Sequence, residues 1–308
     1  MEQKISFYSD GIKLVGSIWI PDSYRKGEKW PAVISVAGIT ADYRLGGHRA
    51  SQARHLNKAG YIMLSFNYRG YGESGGEHKV VTMLEEVADV RNAITYAQQR
   101  PEIDPERIAL TGWSLGGAVV TYAAGVDQRA KATVSHWGVG NGYRWLKSIW
   151  RLPEWRALLN ELDEDIKQRV ITGKSKFVPL EHIWTLTGDE AKVENEWKKT
   201  GYIGGDVPLS YFESIINFKP EEVVDKIAPR AVFFQHPAVE MAVDCEESII
   251  MYEKAREPKK LWIIPESEIP NTYDVFDGCD GGPGYFNTVM EATINWLKQY
   301  VPPELKSY

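Results

Sequence analysis

The stretch Arg107–Gly125, RIALTGWSLGGAVVTYAAG, constrains the fold more than any other part of this chain. Ile108–Thr111 is a short, dense apolar run without the alternation of a half-solvated strand, so it reads as a strand buried on both faces. It runs through Gly112-Trp113-Ser114-Leu115-Gly116-Gly117 directly into a compact helix of small residues. A buried strand that feeds straight into a helix belongs to a βα unit, and such units build a mostly parallel sheet flanked by helices. The same rhythm recurs in PAVISVAG, ASQARHLNKAG and YIMLSFNYRG, then in TMLEEVADVRNAITYAQQ and KATVSHWGVG.

The rhythm has a beginning, an interruption and an end. KISFYS and KLVGSIWI alternate and are joined by Asp10-Gly11, a hairpin signal. From Asn141 to Phe218 the pattern becomes helical, aromatic and irregular, with Trp145, Trp150, Trp155, Trp184 and Trp197. It resumes with RAVFFQHP and KKLWIIPE, and NTVMEATINWLKQYV closes it as an amphipathic helix. The reading is one α/β domain in two parts, residues 1–140 and 219–308, interrupted by a helical insertion over 141–218.

Gly112-Trp113-Ser114-Leu115-Gly116 fits G-x-S-x-G in the strand–turn–helix context that the motif requires. Such a turn holds its serine in a strained conformation and needs neighbours without bulk. The helix N-terminus beyond it aims free N–H groups at a developing oxyanion. A glycine-rich turn needed only for packing is the plain alternative. Gly70-Tyr71-Gly72-Glu73-Ser74-Gly75 also spells G-x-G-x-x-G, but polar residues delay the next helix, which argues against dinucleotide binding.

With these residues, with VISVAGIT, SFNYRGYGESGG, EIDPERIALTGWSLGG and PEEVVDKIAPRAVFF, the chain resembles the α/β-hydrolase superfamily. Within it, the resemblance is to serine esterases and peptidases near the dienelactone hydrolase and Xaa-Pro peptidase groups, and it spans nearly the whole chain. It departs at Ala37-Gly38, where the family usually has His-Gly, and at Asn67, where it has aspartate. The resemblance implies an α/β-hydrolase fold whose insertion is a helical cap. It implies Ser114 as nucleophile, the backbone N–H groups of Leu115 and Ile39 as oxyanion donors, and Glu240 as the acid that orients the base. Gly38, Trp113 and Trp137 would border the substrate.

The family's base is a histidine after the last strand. This chain reads PESEIPNTYDVFDG there, placing Ile269 or Thr272 in the histidine's position, and no histidine follows His236. Neither residue accepts a serine proton at neutral pH. Three accounts stay open. Another histidine serves: His136, which ends a strand beside the nucleophile strand, is preferred over His236 and His48. Or the scaffold runs lyase, isomerase or decarboxylase chemistry on a carboxylate such as Glu240 or Asp274. Or it binds a ligand without turnover. The leading expectation is an esterase-type serine hydrolase with a non-standard base, acting on a small, partly apolar carboxylic ester or related acyl compound.

The charge balance, 36 Lys and Arg against 42 Asp and Glu, gives a net charge of −6 and argues against nucleic-acid binding. No apolar stretch is long enough for a membrane span. The N-terminus alternates rather than presenting a basic start and apolar block, and the two cysteines, Cys245 and Cys279, suit a reducing compartment. The expectation is a cytoplasmic protein with a small-molecule substrate, no metal and no cofactor; a homodimer is left open. The insertion's tryptophans suggest an apolar pocket or simply packing, and Arg144 and Arg151 among them could hold an anionic group.

Overall fold

The computed structural model describes residues 1–39, 48–184, 199, 205–239, 242–269, 276, 278 and 282–303. Its main sheet has eight strands in the order β1-β2-β4-β3-β5-β6-β9-β10. These are β1 (Glu2–Ser9), β2 (Ile12–Trp19), β3 (Trp30–Val36), β4 (Ile62–Phe66), β5 (Ile103–Trp113), β6 (Ala132–His136), β9 (Ala231–Pro237) and β10 (Lys259–Ile264). β1 and β2 pair antiparallel through the expected hairpin, with Ser9 opposite Ile12 and positive φ at both Asp10 and Gly11. β2 joins β4 antiparallel, and every pairing from β4 to β10 is parallel. The buried runs β4 and β6 have no exposed residue, as strands covered on both faces require.

Helices cover both faces. α1 (His48–Lys58) and a C-terminal helix (Tyr285–Tyr300) enclose one apolar cluster with Val33, Met63, Trp113 and Phe233. α2 (Met83–Gln98) and α3 (Leu115–Val126) enclose the other with Ile34, Leu64, Leu110 and Phe234. α2 starts at a capping box in which Thr82 and Glu85 satisfy each other's backbone N–H groups.

The Gly70–Gly75 turn closes on itself, Gly70 N donating to Gly75 O at 2.8 Å, and α2 begins only at Met83. No helix N-terminus follows the glycines directly, so the turn is a staple rather than a phosphate cradle. Arg69 beside it donates to Asp89 from its backbone and its side chain, tying the turn to α2.

Residues 141–218 carry α4 (Gly142–Ile149), α5 (Leu152–Thr172) and α6 (Leu209–Ile216). They also carry a two-stranded ribbon, β7 (Phe177–Pro179) with β8 (Asp206–Pro208), which the helical reading of the sequence missed. Trp145, Trp155 and Trp184 are buried in the same cluster as α2 and α3, so these tryptophans pack the insertion onto the sheet domain. Arg144 is spent on Glu247 and Glu221 and Arg151 on Glu154, so the structure assigns these arginines to protein carboxylates rather than to a ligand. Tyr211 on α6 donates to the buried Glu86 of α2 at 3.2 Å. Among the described residues no helix is long and apolar enough to cross a membrane, and no cluster of three or more His, Cys, Asp or Glu could hold a metal.

Candidate active site

The site is built where β3, β5 and β6 end. Ser114 stands between the last residue of β5 and the first of α3, with φ 55° and ψ −125°. A non-glycine residue persists there only when its surroundings enforce it. The enforcement is visible: Ser114 N donates to His136 O at 2.9 Å, and Ala118 N donates to Ser114 O at 3.2 Å. Glycines make the turn sterically feasible. A Cβ on Gly112 would lie 2.1 Å from Gly116 O, and one on Gly116 would lie 2.2 Å from Ala37 O.

The loop after β3 lies against the serine. A Cβ on Gly38 would sit 3.2 Å from Ser114 Cβ and 3.7 Å from Ser114 Oγ. Neither Leu115 N nor Ile39 N donates to a carbonyl among the described residues. The Leu115 amide opens α3, so the positive end of the helix dipole adds to its pull on an anion. The half-buried Ser114 hydroxyl, bracketed by these two segments, has the surroundings that acyl-transfer chemistry needs on its electrophilic side.

On the basic side the structure corrects the sequence reading. His136 is fully buried, its Nε2 lies 3.0 Å from Thr111 Oγ1, and its ring stacks on Trp113 at 3.9 Å. Burial first, and the charge of Arg49 second, drive its pKa from 6.5 down to about 3. It is a neutral core residue, and its bonded nitrogen serves Thr111 rather than Ser114. The physical reason is register: Trp113 and His136 are paired residues of neighbouring parallel strands, so their side chains leave the sheet on the same face. A His136→Gln variant is therefore expected to lose about 1–3 kcal/mol of stability, measured by denaturant unfolding, while Ser114 keeps its reactivity.

His236 is equally structural, with Nδ1 2.7 Å from Ser248 Oγ and Nε2 2.7 Å from Val243 O. Burial lowers its pKa from 6.5 to about 4. Trp113 and Trp137 are only 3% and 5% exposed and pack edge to face at 4.9 Å, so they form the floor beneath the serine rather than an open wall. Of the two residues aligned with the missing base, Ile269 is fully buried in the core. Glu240, Thr272, Asp274 and Cys279 lie outside the described residues. Phe276, from the same segment as Thr272, places its ring 5.6 Å from Trp113 and 5.8 Å from Trp137. The sequence did not single out Phe276, although an aromatic residue after the base position is part of the family pattern.

Comparison with known proteins agrees with the fold. Residues 10–177 match the model of the X-Pro dipeptidyl-peptidase (S15) family. The quorum-quenching protein AidA of Acinetobacter baumannii is 32% identical over 86% of each chain. An uncharacterized 31.7 kDa protein of Escherichia coli is 27% identical over 81% of this chain and 84% of that protein. Among solved structures, the α/β hydrolase GrgF from Penicillium sp. sh18 superposes with a TM-score of 0.79 at 18% identity, over 98% of this chain and 99% of that one, which shows a shared fold. Matched over more than half its length, its serine on the strand–helix turn and its sheet parallel from β4 onward, this chain belongs to the X-Pro dipeptidyl-peptidase (S15) family of the α/β-hydrolase superfamily.

Proposed function

We propose that the protein is an esterase-type serine hydrolase acting on a small, partly apolar carboxylic ester or related acyl compound. The observation that carries this reading is the strained backbone of Ser114 between Gly38 and the start of α3. Strained non-glycine backbone of this kind clusters at active sites, and here it holds the hydroxyl at the start of a helix beside the Gly38 loop.

In this reading Ser114 Oγ attacks the acyl carbon as its proton passes to a base. The Leu115 and Ile39 amides hold the oxyanion. Collapse releases the alcohol, which takes the proton back, and water then frees the acid from the acyl-serine. Glu240 is the acid of the arrangement by its place just beyond β9, and the insertion over 141–218 is the cap that shapes the substrate site. The base is not His136. The Acinetobacter baumannii relative is named for quorum quenching. A quorum signal with a hydrolysable acyl bond therefore belongs in the first substrate panel.

The test is intact-mass measurement after exposure to a fluorophosphonate. One adduct is expected on the parent and none on Ser114→Ala. A folded parent that stays unmodified would overturn the reading.

A further inference from the structure

An oxyanion donor works only if its N–H is held where the charge develops, so the loop that carries the Ile39 amide has to be fixed in place. One side of it is fixed by the serine turn. A Cβ on Gly116 would lie 2.2 Å from Ala37 O, and one on Gly38 would lie 3.1 Å from Trp113 O. The Ala37–Gly38 backbone thus rests directly on the start of α3 and the end of β5.

What fixes the loop at its root is a buried arginine. Val36 is the last residue of β3 and stands opposite Gly112, two residues before Ser114. The residues of β3 that pair with β4 run only to Ser35. One residue on, the Val36 carbonyl accepts from Arg49 Nη2 at 2.8 Å. Arg49 Nη1 donates to Ser35 Oγ at 2.8 Å and to Gln52 Oε1 at 3.1 Å, and Ser35 Oγ donates to the same Gln52 oxygen at 2.7 Å. Arg49, Ser35 and Gln52 are all buried. Two nitrogens of one planar group therefore clasp consecutive residues of β3, and Gln52, three residues further along α1, braces that group.

Stability alone does not account for this arrangement. α1 already packs on the sheet through Ala53 and Leu56, and burying a guanidinium is a costly way to add more. What a guanidinium supplies that apolar packing does not is direction, because its donors form a rigid fork. After burial, the charge of Arg49 is also the next cause that depresses His136, whose carbonyl accepts from Ser114 N.

We propose that Arg49 is the positioning residue of the oxyanion loop: by clasping Ser35 and Val36 at the end of β3, it sets where the Ile39 amide stands relative to Ser114. The inference rests on the serine-hydrolase reading, with Ile39 N as one of the donors. Arg49 takes no part in proton transfer and acts only through the backbone from Val36 to Ile39.

The experiment is saturation kinetics of fluorophosphonate labelling, per folded molecule, for the parent, Arg49→Lys and Arg49→Met. It separates the limiting rate, which reads stabilisation of the transition state, from the half-saturating concentration, which reads binding of the probe. Lysine keeps the charge and loses the fork. A misplacement of about 1 Å costs about 10²-fold, the order of losing one oxyanion donor, so Arg49→Lys is expected to lower the limiting rate by about 10–10²-fold and to keep the half-saturating concentration within about threefold. Arg49→Met is expected to fall at least as far, and Arg49→Lys decides the matter if Arg49→Met does not fold. His136→Gln, destabilised but outside the loop, is expected to label at the parent's limiting rate and shows what lost stability alone does. A parent-like limiting rate in Arg49→Lys, a change confined to the half-saturating concentration, or an equal fall in His136→Gln overturns the role of Arg49 and leaves Ser114 as nucleophile. A parent that does not label removes the serine-hydrolase reading itself, and this inference with it.

Discussion

Gly112→Ala is expected to leave little or no folded protein. The new methyl would stand 2.1 Å from the Gly116 carbonyl oxygen and 2.3 Å from its carbon, both backbone atoms of the turn that carries Ser114. Overpacking against movable side chains costs about 1–3 kcal/mol, and backbone that is itself held between a strand and a helix has less room to yield, so the cost here exceeds that range. Gly173→Ala is the comparison. Gly173 ends α5 at φ 73° with nothing within 4 Å of its Cβ position, so only the left-handed conformation opposes alanine. That change costs about 1 kcal/mol. Thermal unfolding of the two variants against the parent decides the matter. A Gly112→Ala protein that melts within a few degrees of the parent would mean that the turn is looser than described.

The second large effect concerns Glu86. Its carboxyl is buried between α2 and the insertion, accepts from Tyr211, and has Asp89, Glu85, Tyr68 and Tyr71 in its surroundings. Burial raises its pKa from 4.5 to about 8, against the smaller opposing effect of the Tyr211 hydroxyl. Between those values the folded state holds a proton that the unfolded chain has released, so stability falls as pH rises through the window and levels off above it. His136 and His236 act in the opposite sense: their folded pKa values of about 3 and 4 lie below 6.5, so stability is lost as pH falls below 6.5. At pH 6.5 the unfolded histidines are still half protonated, so they offset part of the Glu86 slope in the parent; Glu86→Gln carries the same histidines, and the difference between the two proteins isolates Glu86.

From pH 6.5 to about 8, at about 1.4 kcal/mol per unit, the parent should lose about 2 kcal/mol relative to Glu86→Gln, or about 3 °C in Tm for a chain of this length. Glu86→Gln, which cannot ionise at that position, should hold or slightly gain stability as the unfolded histidines lose their protons. Melting curves of the two proteins at pH 6.5 and pH 8 give the comparison, and equal losses would place the ionisation of Glu86 outside this range. The same proton bears on how the insertion is held, because Tyr211 reaches Glu86 from α6.

Much of this molecule is legible along the chain because the signals are local. Asp10-Gly11 between two alternating runs dictates a hairpin whatever lies around it, since the turn needs positive φ at both residues. The dense apolar runs of β3, β4 and β6 specify buried parallel strands, and Gly112, Gly116 and Gly117 specify the sharp turn at Ser114, because the crowding they relieve is set by the next few residues. The absence of a histidine after His236 is also a fact of the sequence alone, and it rules out the family's usual base without any coordinates.

The side of the sheet on which a residue falls is another matter. His136 ends a strand next to the serine, and only the pairing of Trp113 with His136 shows that its ring goes under Trp113 toward Thr111. A shift of one residue would have reversed that, because strand side chains alternate with a period of two. Arg144 likewise could be read as a ligand-binding arginine until Glu221 and Glu247, distant in sequence, were seen to converge on it. Sequence determined the turn, the sheet and the missing base, since these depend on neighbours in the chain; tertiary structure decided which side chains share a face and a niche, since that depends on register and on contacts between residues far apart.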